Sequence, residues 1–290
     1  NFVVYYEKTG LVYGAHGGSA LWSHVPNTSI NNAEFTISYT NISNGIIHTK
    51  DDILYLGIDN KIYKNDGGTW SLALTMPAHL YVSNIAQYGN KIAIALAPLS
   101  DVTSGVATGV NNSYIYIWDR DVSLTTLDET ILWERGTLQV LDIVDGFLVG
   151  ITSFLNSTAV ISGKERVFIS YLAGDQEVGF RPERLFSLQE DGTTGTNLLT
   201  IRKQIYDGRL HFLMQMRING AQREGVWSVG RVGEKFVLIH ERTPNNNIAT
   251  GDTLHGFFYA GDYLFQSFTT SSLVTITKTN NAEAYTTSIY

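Results

Sequence analysis

The feature that most constrains this chain is a repeat. A short apolar run, a tight turn of Gly, Asp or Asn, and a second apolar run recur six times along its 290 residues. The turns are Lys8-Thr9-Gly10, Lys50-Asp51-Asp52, Gly89-Asn90, Asp145-Gly146, Asp207-Gly208 and Gly261-Asp262. Gly, Asn and Asp tolerate the positive φ that two-residue hairpins demand, so these are hairpin signals. Second runs follow at 11–14, 53–58, 91–97, 147–153, 209–218 and 263–268. Third runs lie at 19–23, 61–64, 113–118, 166–171, 226–229 and 273–277, and fourth runs at 34–38, 70–74, 130–133, 184–188, 236–240 and 283–290. The runs are rich in Val, Ile, Tyr, Phe and Thr and too short for helices. No segment carries a 3.6-residue apolar period of useful length.

Six units of four short strands predict an all-β fold, a β-propeller with six blades of four antiparallel strands, or seven blades if the chain was cut. One twisted four-stranded sheet cannot cover its own two faces, whereas stacking blades in a ring buries both. A β-sandwich accounts poorly for a quartet repeated six times, and β-helix coils are shorter than these units. The expected blades of this single domain span 1–40, 41–78, 79–135, 136–190, 191–242 and 243–290. The chain is expected to start on the innermost strand of the first blade and finish on the outermost strand of the sixth. The ring would then close by face packing, without a shared strand. Asn1 has no basic or apolar leader behind it and enters a strand at once, the pattern of a processed product or an excised domain.

Composition narrows the partners. Charged residues are 16% of the chain against a typical ~25%, and the net charge is −7. That balance argues against nucleic-acid and anionic-membrane binding, both of which rely on basic patches. No apolar run approaches the ~18 residues of a membrane span, so no membrane insertion is expected. With no cysteine, disulfides, thiolate metal sites and thiol nucleophiles are excluded.

One segment resembles a known family. Tyr63-Lys64-Asn65-Asp66-Gly67-Gly68-Thr69-Trp70 is similar to the Asp-box of sialidase-like propellers, Ser-x-Asp-x-Gly-x-Thr-Trp. Lys64 stands where that box has Ser, and one residue is missing before Thr69. The resemblance implies a structural turn between third and fourth strands, built on Asp66, Gly68 and Trp70, and no activity. Phe180-Arg181-Pro182 resembles the family's Phe-Arg-Ile-Pro motif but lacks the Ile and sits mid-chain. The low-charge texture, rich in Asn, Thr and Tyr, also resembles that of phage virion propeller modules.

Candidate site residues follow from counting back from each hairpin turn. Tyr6, His48, Ala86, Asp142, Gln204 and Phe258 share one position, and Val4, Ile46, Asn84, Val140, Arg202 and Gly256 lie two residues earlier. Strand alternation puts both sets on one side. His48, Asn84, Asp142, Arg202 and Gln204 are therefore the tunnel-lining candidates, either as a small-ligand or ion site or as the polar wall of a wet channel. Asp119 and Asp121 offer clustered oxygens of the kind Ca²⁺ takes, but Leu124 occupies the position where such a loop needs Gly. The seven His show no zinc spacing, and nucleophile-elbow and phosphate-loop motifs are absent, so no metal, cofactor or catalytic residue is expected. The five Trp fit core between blades better than sugar platforms. Asn27, Asn41, Asn111 and Asn156 stand in Asn-x-Ser/Thr triplets, which matter only on a eukaryotic secretory route.

The long connections 98–112, 154–165, 189–199 and 241–253 all emerge on one face of such a ring, the usual way of building a binding surface. The expected function is a non-enzymatic structural or recognition module, extracellular or virion-associated. It would bind protein subunits of a larger assembly, or surface glycan, through that long-loop face. The alternative is a carbohydrate-active enzyme at the tunnel mouth, with Glu7 and Asp142 as the nearest carboxylate pair.

Overall fold

A computed structural model describes residues 2–15, 20–36, 39–98, 112–121, 129–153, 164–174, 178–190, 198–218, 221–242, 253–270, 273–280 and 288–289. Among them all regular structure is strand, in six antiparallel sheets built from consecutive segments. Blade one holds β1 (Phe2–Tyr6), β2 (Leu11–Ala15), β3 (Ala20–His24) and β4 (Asn31–Thr36). Blade two holds β5 (Ile42–His48), β6 (Ile53–Ile58), β7 (Lys61–Asp66) and β8 (Thr69–Thr75). Blade three holds β9 (Leu80–Tyr88), β10 (Lys91–Pro98), β11 (Asn112–Trp118) and β12 (Glu129–Arg135). Blade four holds β13 (Thr137–Val144), β14 (Phe147–Ser153), β15 (Lys164–Ala173) and β16 (Arg181–Glu190). Blade five holds β17 (Leu198–Tyr206), β18 (Arg209–Ile218), β19 (Ala221–Val232) and β20 (Lys235–Arg242), and blade six β21 (Thr253–Ala260), β22 (Tyr263–Thr270) and β23 (Leu273–Asn280).

The hairpins form where the turn residues require them. Asp145 and Gly146 have φ of 49° and 82°, and Asp207 and Gly208 of 50° and 69°. Two consecutive positive φ values define the turn whose twist matches the strands it joins. First strands of successive blades lie side by side, from β1 beside β5 through to β17 beside β21. The core then divides among the junctions between blades. Tyr6, Tyr13, Leu21, Leu54 and Leu56 fill the junction of blades one and two. Tyr55, Ile62, Ile94 and Trp118 fill that of two and three. Ile117, Trp133, Leu138 and Leu148 fill the third junction, and Val149, Ile169, Phe212 and Trp227 the fourth. Leu213, Val226, Tyr259 and Leu264 fill the fifth. Each cluster draws the alternate residues of two facing sheets, as period-two strands dictate. Close approach is bought with glycine at Gly150, where a Cβ would stand 2.7 Å from the Trp133 ring of the preceding blade.

One expectation is corrected. The last strand, β24 (Ser288–Ile289), pairs with β20, Ile239 opposite Ile289, and so extends blade five to five strands, while blade six has three among the described residues. A strand-like run at a terminus identifies a strand but not the edge it will join, and the open outer edge of β20 is a ready template.

Candidate functional site

Each innermost strand has one edge that its own sheet leaves unpaired, and buried backbone groups must find partners. Side chains from neighbouring blades supply them here. The Asn44 amide of blade two donates to the Ile85 carbonyl (2.9 Å) and accepts the Ile85 N–H (2.8 Å) of blade three. Gln204 of blade five does the same to Tyr259 of blade six, donating at 3.1 Å and accepting at 2.7 Å. Asn84 of blade three donates to the Gln139 carbonyl of blade four at 2.8 Å. Gln204→Leu leaves both Tyr259 groups unpaired. It is expected to cost about 1–3 kcal/mol in urea unfolding, with Gln204→Asn intermediate because the shorter amide reaches less well.

Lys203 joins three blades. Its ammonium donates to the Ile85 carbonyl of blade three (3.0 Å) and the Leu141 carbonyl of blade four, and pairs with Asp142 Oδ2 (3.0 Å). A side chain of blade five thus reaches past the innermost strand of blade four to that of blade three. The Lys203 side chain is 8% exposed, and all three ammonium protons have acceptors. Burial holds its pKa below the ordinary lysine value, opposed by the charge and hydrogen bond of Asp142.

The four tunnel candidates whose side chains are described therefore do not converge as one ring. Asp142 faces Lys203, with Oδ1 accepting the Ile143 N–H at 2.8 Å, and Asn84 and Gln204 clamp the next blade. His48 is fully buried between blades two and three, beside Asp51 (3.4 Å) and edge-on to Tyr55. The side chain of Arg202 lies outside the described residues. The physical reason is that strand side chains stand perpendicular to the sheet, so in a blade they point at neighbouring blades while the backbone edge faces the axis. Counting selected Arg202 and Gln204 and passed over Lys203 between them. A charged residue mid-way along an inner strand was the available signal.

Glu7 is exposed in the first hairpin turn, and no described pocket holds both it and Asp142. The Asp119 carboxylate accepts the Asp121 N–H at 2.8 Å, a turn-closing bond. Among the described residues no group of three or more His, Asp or Glu is gathered as for a metal. At the Asp66–Trp70 segment, Gly67 and Gly68 make the turn between β7 and β8, and Asn65 accepts the Gly68 N–H at 2.7 Å. Asp66 instead pairs with Lys8 of blade one (2.7 Å), and Trp70 sits edge-on to Tyr13 at 5.8 Å. The bond that closes this turn is thus made by Asn65 and not by Asp66. The expected long-loop face falls mostly outside the described residues.

The described pocket richest in aromatic rings lies between blades four and five. It is a groove of about 410 Å³ lined by Phe147, Tyr171, Leu185, Phe186, Arg231, Glu234, Lys235 and Phe236. Its floor continues the fourth junction's core, because Phe147, Tyr171 and Phe236 pack against that cluster. Phe147 meets Tyr171 and Phe236 edge-on at 5.5 and 5.7 Å, and those two stack at 5.6 Å. Arg231 lies 5.1 Å over Phe147 and pairs with Asp145 at 2.7 Å. Its buried Nε has no hydrogen-bond partner. The Tyr171 hydroxyl donates to Glu183 at 2.7 Å, which raises its pKa and keeps it a neutral donor. Sequence reasoning missed this groove because its rings come from β14, β15, β16 and β20, which no local pattern brings together. The only trace was an aromatic residue just after a turn, at Phe147 and Phe236.

Six antiparallel sheets arranged around an axis, with core between successive blades, define a β-propeller. No family model and no curated protein matches the chain. Among solved structures it is similar to a prolyl endopeptidase at 12% identity and a TM-score of 0.47, over 96% of this chain and 40% of that one. It is also similar to YjhT, at 9% identity and a TM-score of 0.48 over 81% and 82% of the two chains. A chain of a mitotic checkpoint complex gives 9% and 0.47 over 92% and 86%. The chain thus spans two fifths of the length of the prolyl endopeptidase. These likenesses carry nothing about activity, and the propeller rests on the sheets and junctions described above. No described helix is long and apolar enough to cross a membrane.

Proposed function

We propose that this propeller is a non-catalytic recognition module that holds a neutral glycan in the groove between blades four and five. The observation that carries this reading is the combination of aromatic faces with hydrogen-bonding groups in one concavity of sugar size. Sugar rings present C–H faces that pack on aromatics and hydroxyls that need donors and acceptors. Lys235 and Glu234 supply a donor and an acceptor beside the rings. Two cations, Arg231 and Lys235, stand with two anions, Asp145 and Glu234, which favours a ligand without net charge. The module would work on a virion or another extracellular assembly, where its low charge and polar texture suit a surface role. Its long-loop face would be left for protein subunits of that assembly.

Screening against an array of neutral and acidic oligosaccharides, followed by calorimetry with the best neutral binder, tests this. Phe236→Ala is expected to weaken binding at least about tenfold, or about 1.4 kcal/mol, with Arg231→Ala similar. Absence of any bound glycan, or affinity unchanged in Phe236→Ala, would sink it. Hydrolysis of a bound glycan that disappears in Asp142→Asn would favour the enzyme reading instead.

A further inference from the structure

We propose that the outward faces of blade six and blade one are the two halves of a junction between copies of this chain, blade six of one copy seated on blade one of the next. Among the described residues, five junctions between successive blades are filled by buried apolar clusters, and none of those clusters joins blade six to blade one. The faces left over are apolar. On blade six, Phe258 is 52% and Ile276 69% exposed, beside a concavity of about 300 Å³ where Phe258 stacks on Phe265 at 4.6 Å. On blade one, Val3 is 62% and Tyr5 54% exposed. Monomeric proteins rarely leave contiguous apolar faces of this kind uncovered.

The repeat itself identifies the occupant. At every filled junction the leading face of one blade packs on the trailing face of the blade before it. Blade one offers an uncovered leading face and blade six an uncovered trailing face, so each is the other's complement by the geometry already used five times. A second copy supplies both. Because the two faces differ, the contact is head-to-tail and either closes into a ring or runs on as a filament. This inference does not depend on the groove.

Sedimentation equilibrium of the full chain tests it. The average mass is expected to rise with concentration from low to high micromolar. Tyr5→Lys and Ile276→Lys should each remain monomeric, since each keeps one half of the junction. Their equimolar mixture should reach the mass of a dimer and go no higher. Wild-type chain that stays monomeric throughout overturns the proposal, as does a single variant that still dimerises or a mixture that does not associate. Both positions are more than half exposed, so thermal midpoints should match wild type. A variant that fails that control is replaced by Val3→Lys or Phe258→Lys on the same face.

Discussion

Lys203→Met is expected to lower the unfolding free energy by about 3 kcal/mol, near the bottom of the range for removing one partner of a buried ion pair. The loss has two parts. The Asp142 carboxylate loses its ion-pair partner, and the Ile85 and Leu141 carbonyls lose a donor. Asp142 is a quarter exposed, so water relieves some of its cost. Adding Asp142→Leu to Lys203→Met should recover part of the stability, because an apolar pair carries no desolvation penalty. Urea titration of the two variants and the double variant checks both statements. A Lys203→Met variant as stable as wild type would show that the contact joining three blades contributes nothing.

The second large effect lies under blade six. A row of polar groups crosses blade five there: Gln204, His211, Ser228 and Glu241, the last three nearly fully buried. Glu241 accepts from Ser228 and pairs with Arg209 at 2.8 Å and His211 at 3.5 Å. Arg209 reaches it by lying across Gly230, where a Cβ would stand 2.4 Å from the Arg209 side chain. Glu241→Ala is expected to cost about 3 kcal/mol, since Arg209, a quarter exposed, can turn partly to water. Gly230→Val should be destabilising as well, by displacing Arg209.

The same row makes the protein acid-sensitive. Burial alone would raise the Glu241 pKa, but hydrogen bonds from His211 and Ser228 and the charge of Arg209 outweigh it and hold the value below the ordinary one. The unfolded chain therefore takes up this proton first as pH falls. The stabilisation is present above the unfolded value, about 4.3, and is lost as pH drops through the folded one. His48 acts in the same direction at higher pH. Burial and the Arg120 charge keep it below the ordinary histidine value, so below about 6.5 the unfolded chain binds a proton that the folded chain resists. Urea midpoints should fall in two stages, the first as pH drops below about 6.5 and the second as it drops below about 4.3, and His48→Gln should remove the upper one.

How much of this was legible in the chain varies with the range of the interaction. The hairpins were legible because positive φ at Asp145-Gly146 or Asp207-Gly208 is a property of those residues. The alternation of His48, Asn84 and Gln204 along their strands was legible too. Which neighbour each side chain met was not, because alternation has two parities and nothing local says which face looks at which blade. The terminal strand went to blade five for the same reason. Edge choice is decided by which edge stands open in space.

What the residue order determined by itself was the unit: four short strands with their turns, six times over, each apolar on alternate positions, since backbone sterics and the period of two act within a few residues. Only the tertiary structure decided what lies between units: Lys203 joining three blades, the aromatic groove drawn from blades four and five, and the exposed apolar residues on the outward faces of blades one and six. Those depend on the placement of whole sheets, and contact energy between sheets comes from residues that no local pattern brings together.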